Sequence, residues 1–177
     1  PFTIINNGKD IDRFLFKPEE RNKYRKKLVA SDDEILLGHV GLFHKQKNHD
    51  FLIDVFHEVC KKSNRYKLVL IGEGEDQKKI REKVERLGLS EKVIFLGRQS
   101  NVQDWLQALD IMVFPSLFEG MPNVVLEWQI AGLPALISDV ITRECGIMDT
   151  VSYLPLEKGS EYWADQILHT PLNDREN

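Results

Sequence analysis

Residues 111–138 read IMVFPSLFEGMPNVVLEWQIAGLPALIS. Two apolar runs, 111–114 and 134–138, bracket a loop and a helical stretch. The first run is short and is stopped by Pro115, so it reads as a buried strand. Pro122 suits the first turn of a helix, where its missing N–H costs nothing, and the helix is predicted over 122–131. Strand, loop, helix and strand, with strands apolar throughout, form the unit of a parallel sheet covered on both faces.

The alternation continues outward in both directions. Upstream, 35–41 (ILLGHVG), 66–71 (YKLVLI) and 92–96 (KVIFL) read as strands. Between them, 47–62 places Phe51, Leu52, Val55, Phe56 and Val59 on one helical face. The segment 75–87 places Ile80, Val84 and Leu87 at helical spacing, with Gly88 suited to its C-terminal cap. A short helix is predicted over 102–109. Downstream, 151–154 is a sixth strand and 161–169 a closing helix. The fold class is therefore α/β: a doubly wound parallel sheet of about six strands, Rossmann-like, with right-handed crossovers. Ligands of such folds sit at the carboxyl ends of the strands, which directs attention to the loops 42–47, 72–76, 97–101 and 115–121.

The 177 residues suit a single domain, 1–177, at roughly 150 residues per domain. A net charge of −4 argues against a nucleic-acid partner, whose binding face is rich in Lys and Arg. Cys60 and Cys145 are too few for a disulfide framework or a four-cysteine metal site, and as thiols they have no evident activating histidine. No apolar run reaches the 18 or so residues that span a bilayer. The chain opens at Pro1 rather than Met, directly on the apolar run 2–5, as a piece of a longer protein would. Residues 17–27 carry six Lys or Arg against Glu19 and Glu20 and read as a solvated helix face.

The loop 115–121 and the helix after it carry the strongest chemical signal. Gly120 lets a ligand approach the backbone. The N–H groups of Asn123, Val124 and Val125 at the helix start make an anion site. Glu119 lies just before that helix and Glu127 inside it, among Val124, Val125, Leu126 and Trp128. A carboxylate beside a phosphate site makes sense when it accepts hydrogen bonds from sugar hydroxyls; the bland alternative is a helix start with a stray buried acid.

Glu119 and Glu127 match the Glu-x7-Glu signature, and the chain resembles the retaining, nucleotide-sugar-dependent glycosyltransferases of the GT-B fold. The run EGMPNVVLE…AGLPALISD is similar to the bacterial capsular and exopolysaccharide branch of the glycosyl transferases group 1. Asn6-Asn7-Gly8 with Asp10 to Phe14, HVGLFHKQKNHD at 39–50 and ISDVITRE at 137–144 resemble further family segments in the same order.

The resemblance implies a donor-binding C-terminal domain of a hexosyltransferase-type enzyme, the Rossmann-like half of a GT-B fold. Transfer would run from a nucleoside diphosphate sugar, uridine-based, to a glycan or lipid-linked acceptor held through an N-terminal domain absent from 1–177. This domain alone would bind nucleotide without turnover. The implied setting is the cytoplasm, at the inner face of the membrane, with no metal and no other cofactor. Lys47 matches the lysine on the donor diphosphate, where a cation offsets charge gathering on the leaving group. Glu119 matches the carboxylate near the donor sugar and phosphates, and Glu127 the one on the ribose hydroxyls. Gly41 and the loop Gly120, Met121, Pro122, Asn123 and Val124 match donor-contacting backbone, while Arg98 and Gln99 match the loop beside the base. Lys47 and Glu119 are the implied catalytic pair.

One position departs from the pattern. The family has Arg after Gly41, and here Leu42 stands there, leaving His44, Lys45 or Arg98 as candidate substitutes. Two other readings stay open: a nucleotide-sugar 2-epimerase of the same fold, and a binding or scaffold module that has lost donor chemistry. Weaker signals are set aside. Gly72-x-Gly74 is followed by Gln77 and flanked by Glu73, Glu75 and Asp76, so it reads as a tight turn bordering the cleft. Asp10-x-Asp12 does not follow a strand, and His39, His44, His49, His57 and His169 lack partners at metal spacing.

Overall fold

The computed structural model of the chain describes residues 10–175. The readings at Pro1, at 2–5 and at Asn6-Asn7-Gly8 lie outside the described residues.

Six parallel strands form one sheet: β1 (Ile35–Val40), β2 (Tyr66–Ile71), β3 (Val93–Gly97), β4 (Ile111–Phe114), β5 (Ala135–Ser138) and β6 (Val151–Leu154). Their spatial order is β3-β2-β1-β4-β5-β6. The chain steps outward from β1 to β3 and then returns to β4 beside β1. The order thus reverses between β1 and β4, and the crevice beyond their carboxyl ends is the switch point.

The strands are chiefly apolar because both faces are covered, with His39, Lys67, Ser138 and Ser152 as polar exceptions. Ile35, Leu37, Leu68, Leu70, Val113 and Leu136 face one core with α2 (His49–Lys62), α3 (Gln77–Arg86) and α6 (Gly159–His169). Leu36, Val69, Met112, Phe114, Ala135 and Ile137 face the other core, with α1 (Pro18–Lys27), α4 (Val102–Ala108) and α5 (Asn123–Ile130). Trp163 and Trp128 are fully buried anchors of the two cores. Among the described residues no helix is long and apolar enough to cross a membrane.

Helix starts differ from the sequence expectation. Helix α2 begins at His49 because Lys45–Lys47 forms a separate 3₁₀ turn and Asn48 adopts a left-handed φ of 54°. Helix α3 begins at Gln77, and α5 at Asn123. Pro122 is not the first helical residue but the extended cap before it (φ −75°, ψ 104°).

The basic stretch 17–27 is not simply a solvated face. Helix α1 follows the charge rule of its dipole, with Glu19 and Glu20 in the first turn and Arg25, Lys26 and Lys27 in the last. Two of its cations turn inward. Arg25 is buried and donates to the carbonyls of Ser31, Glu34 and Ala108 and to Asp110 Oδ2. Arg21 reaches Asp110 Oδ1 at 2.6 Å, and the same carboxylate accepts the Leu36 N–H at 2.7 Å. One acid at the amino end of β4 thus ties α1 to the first residues of two central strands.

Candidate functional site

The crevice is built by loops stitched to each other. After β1, the Phe43 N–H donates to Glu73 O (2.9 Å) and the Asp76 N–H donates to Phe43 O (3.0 Å). These bonds bring the loops after β1 and β2 so close that a Cβ on Gly72 would overlap the Gly41 carbonyl. The glycine pair at 72 and 74 therefore serves backbone approach, in line with its reading as a tight turn. On the other side, the Leu117 N–H donates to Gln46 O, the Gln46 amide to Phe118 O (2.9 Å), and the Asn48 amide to Pro115 O (3.1 Å). Asn tolerates the left-handed backbone at 48 that places this amide.

This stitching brings Lys47 and Glu119 together. Lys47 Nζ lies 2.7 Å from Glu119 Oε1, with side chains only 18% and 9% exposed. The ammonium also sits 4.7 Å above the Phe114 ring, a cation–π contact. Gly41 lies beside them, and a Cβ there would come 3.1 Å from His39 Nε2 and 3.3 Å from Lys47 Cε. Gly120 is exposed, and a Cβ on it would meet nothing within 4 Å.

The start of α5 is less open than the sequence suggests. The Val125 N–H is not available to a ligand, because it donates to Pro122 O at 3.1 Å. Asn123 is exposed and Val124 partly so at the crevice end of the helix, and Glu127 is half-buried one turn further on. Met121 is exposed on the loop before it. Gln129, buried behind, accepts from the N–H groups of Ile147 and Met148 and donates to Cys145 O, fixing the segment after β5 to α5.

On the β3 side, the Arg98 N–H donates to Glu73 Oε1 (3.3 Å), while Arg98 itself is exposed. The Gln99 side chain is engaged by the elements that flank its loop, donating to Leu96 O of β3 and accepting from Trp105 Nε1 of α4. Leu42 is 67% exposed at the mouth. His44 turns aside toward Glu75, 3.6 Å away, and Lys45 is exposed.

Beneath Lys47 the site has an aromatic floor that sequence reasoning did not use. His39 packs against Phe114 and meets the edge of His49 at 4.5 Å, and His49 stacks on Phe43 at 4.1 Å. Burial depresses both imidazoles, His39 to about 4 and His49 to about 2, so both are neutral at pH 7. Burial likewise raises the thiols of Cys60 and Cys145 away from reactivity. Gln46, Asn48 and His39 are the residues of this crevice that the motif reading passed over; a lone polar residue in the apolar strand ILLGHV was the available signal for the last. Among the described residues, no three His, Cys, Asp or Glu side chains gather as a metal site would require.

Residues 20–152 match the family described as glycosyl transferases group 1. The putative glycosyltransferase EpsF of Bacillus subtilis is 32% identical over 165 residues, covering 93% of this chain and 43% of that protein. The chain spans less than half the length of the curated relatives it matches (43% and 38% for the first two). Among solved structures, Anabaena HepE in complex with UDP-glucose superposes with a TM-score of 0.81 at 23% identity, covering 94% of this chain and 46% of that one. The C-terminal domain of LpcC, a glycosyl transferase group 1 family protein from Francisella tularensis, gives 0.74 at 24% identity, covering 90% and 86%.

Proposed function

The chain belongs to the glycosyl transferases group 1, and on that premise we propose that it is the donor-binding domain of a GT-B glycosyltransferase. It would hold a nucleoside diphosphate sugar for transfer, with retention, to a glycan acceptor. Uridine diphosphate is the nucleotide we assign, supported by the UDP-glucose complex of the similar HepE fold. Acceptor recognition is assigned to no residue of this chain.

The observation that carries this reading is the Lys47–Glu119 pair at the switch point. Its two side chains come from two loops, not from the core, and they sit where ligands of this topology bind. In the proposed mechanism the β-phosphate of the leaving nucleotide gains charge as the glycosidic bond breaks. Lys47 offsets that charge from a site of low exposure, where one ammonium counts for more than in water. The start of α5 adds its dipole on the phosphate side. Gly120 leaves its space to the donor, since nothing within the protein fills it. Glu119 faces the donor sugar, Glu127 accepts from the ribose hydroxyls, and the backbone at Arg98 and Gln99 borders the base.

Thermal-shift ranking of uridine, guanosine and adenosine diphosphates tests this. A binder gains about 2.7 kcal/mol at a hundredfold excess over Kd. The expected order puts the uridine nucleotide first. No response to any of the three overturns the reading and leaves a fold without donor chemistry. A product assay on the full-length protein, separating transferred sugar from epimerised donor and reading the anomeric configuration, tests transfer and retention.

A further inference from the structure

His39 occupies an odd place. It is the sole polar side chain of β1, points toward the α2 side of the sheet, and is completely buried. Its Nδ1 lies 2.9 Å from the carbonyl oxygen of Val113. A carbonyl only accepts, so Nδ1 carries the proton and Nε2 is a bare lone pair. That lone pair has no partner. His49, whose ring meets it edge-on, does not fill the gap, since neither of its nitrogens is partnered either. Buried acceptors are almost always satisfied, and each exception calls for a reason.

The position of Nε2 supplies one. It and the last two methylenes of Lys47 crowd the same side of Gly41: a Cβ there would lie 3.1 Å from Nε2, 3.2 Å from Lys47 Cδ and 3.3 Å from Cε. Gly41 is not needed here for a left-handed turn, as its φ is not positive. A Cβ there would press on both groups, so the glycine leaves Lys47 and the imidazole room on the same side. An ammonium has three N–H donors, and Glu119 takes one of them.

We propose that His39 is a positioning residue for Lys47, its Nε2 accepting from the ammonium when a donor diphosphate draws Lys47 off Glu119. This rests on the donor-site reading above. Nδ1–H to Val113 O fixes the ring, and Nε2 then holds the cation from behind while its remaining N–H groups face the phosphates. The Lys47–Glu119 contact is the resting arrangement of a two-position side chain, and His39 is the second position. No proton is transferred, and the imidazole stays neutral in both.

The test uses the 177-residue chain with ¹⁵N-labelled histidine. Long-range ¹H–¹⁵N spectra report whether a bare ring nitrogen accepts a hydrogen bond, and loss of a signal in His39→Asn assigns it. In the wild type without nucleotide, Nε2 should carry the shift of a free lone pair. Adding UDP, or replacing Glu119→Ala without nucleotide, should move it upfield, and Lys47→Met in the Glu119→Ala background should abolish that movement. His39→Asn keeps an N–H for Val113 but lacks the second ring nitrogen. It should melt within a few degrees of wild type yet bind UDP about tenfold more weakly, with partial recovery in His39→Gln. An Nε2 signal unmoved in Glu119→Ala, or full UDP affinity in His39→Asn, overturns the assignment of His39. Absence of UDP binding by the wild type overturns the donor reading instead, and the Glu119→Ala spectrum still judges His39 on its own.

Discussion

Lys47 Nζ and Glu119 Oε1 meet at 2.7 Å across 72 residues of sequence, and both groups are largely withdrawn from water. In this arrangement the cation of the crevice is already neutralised by a carboxylate of the crevice. A diphosphate entering here replaces one anionic partner of Lys47 by another, so the affinity measured is a difference between two ion pairs. Residues that change the first pair therefore change binding without touching the ligand.

Glu119→Ala should lower stability by about 2–3 kcal/mol, because it leaves a partly buried ammonium without its carboxylate. For a chain of this size that is a fall in Tm of roughly 5–10 °C. Lys47→Ala should also destabilise, and the double variant should lose less than the sum, as a double-mutant cycle reads. UDP affinity should separate the two. Lys47→Ala should weaken it more than tenfold, whereas Glu119→Ala frees the cation and should keep or tighten it. Calorimetry showing equal losses for both would refute the exchange of partners.

Leu42→Arg should tighten UDP binding about fivefold, corresponding to roughly 1 kcal/mol for one exposed charge-assisted contact. Leu42 is 67% exposed at the mouth, so the longer side chain has room and no core contact is lost. His44 is engaged toward Glu75 and does not supply this charge. The gain should shrink with added salt. An unchanged Kd at low ionic strength would show that position 42 does not face the phosphates.

Asp110→Ala should cost about 3–5 kcal/mol in urea denaturation, since it strands Arg25, whose side chain is 6% exposed, without a carboxylate. Arg25→Lys should cost less than that, though still measurably. It keeps the charge but cannot reach the carbonyls of Ser31, Glu34 and Ala108 together. Asp110 lies at the amino end of β4 and the crevice at the carboxyl end, so UDP affinity of folded protein should not change in either variant. A change in Kd at constant fold would overturn this separation.

The sheet was legible because its strands are buried on both faces and so read as largely apolar runs, most of them closed by Gly or Pro. Lys47, Glu119 and Gly120 were singled out through the resemblance to the family's donor loops, and the structure brings the side chains of Lys47 and Glu119 together at the switch point. Helix α1 was not. Its charged residues are spread around the helix with no apolar stripe, and sequence alone cannot tell an Arg that faces water from one that faces Asp110, which lies 85 residues from Arg25. The true start of α2 was hidden for a related reason. Nothing local forces Asn48 into a left-handed backbone; its amide is held by Pro115 O, 67 residues away. The Val125 N–H was misjudged because the cap at Pro122 turns its own carbonyl onto it. In each case the missing information was the partner, which lies far off along the chain.

The two buried imidazoles should make the protein acid-sensitive in a defined window. Unfolding frees His39 from about 4 and His49 from about 2 to an ordinary value near 6.5. Below pH 6.5 the unfolded chain therefore binds protons that the folded chain does not, and stability falls with falling pH. The loss continues down to about pH 4 for His39 and further for His49, and above pH 6.5 the full stability is present. His49→Phe isolates one contribution. Neither His49 nitrogen has a partner, so a phenyl ring stacked on Phe43 in its place sacrifices no hydrogen bond. The variant should be modestly more stable than wild type at pH 8. At pH 5 its advantage should grow by about 2 kcal/mol, the work of keeping one imidazole neutral 1.5 units below its ordinary pKa. Urea midpoints at the two pH values measure this directly, and parallel pH profiles for wild type and variant would mean that His49 titrates in the folded protein as it does in the unfolded one.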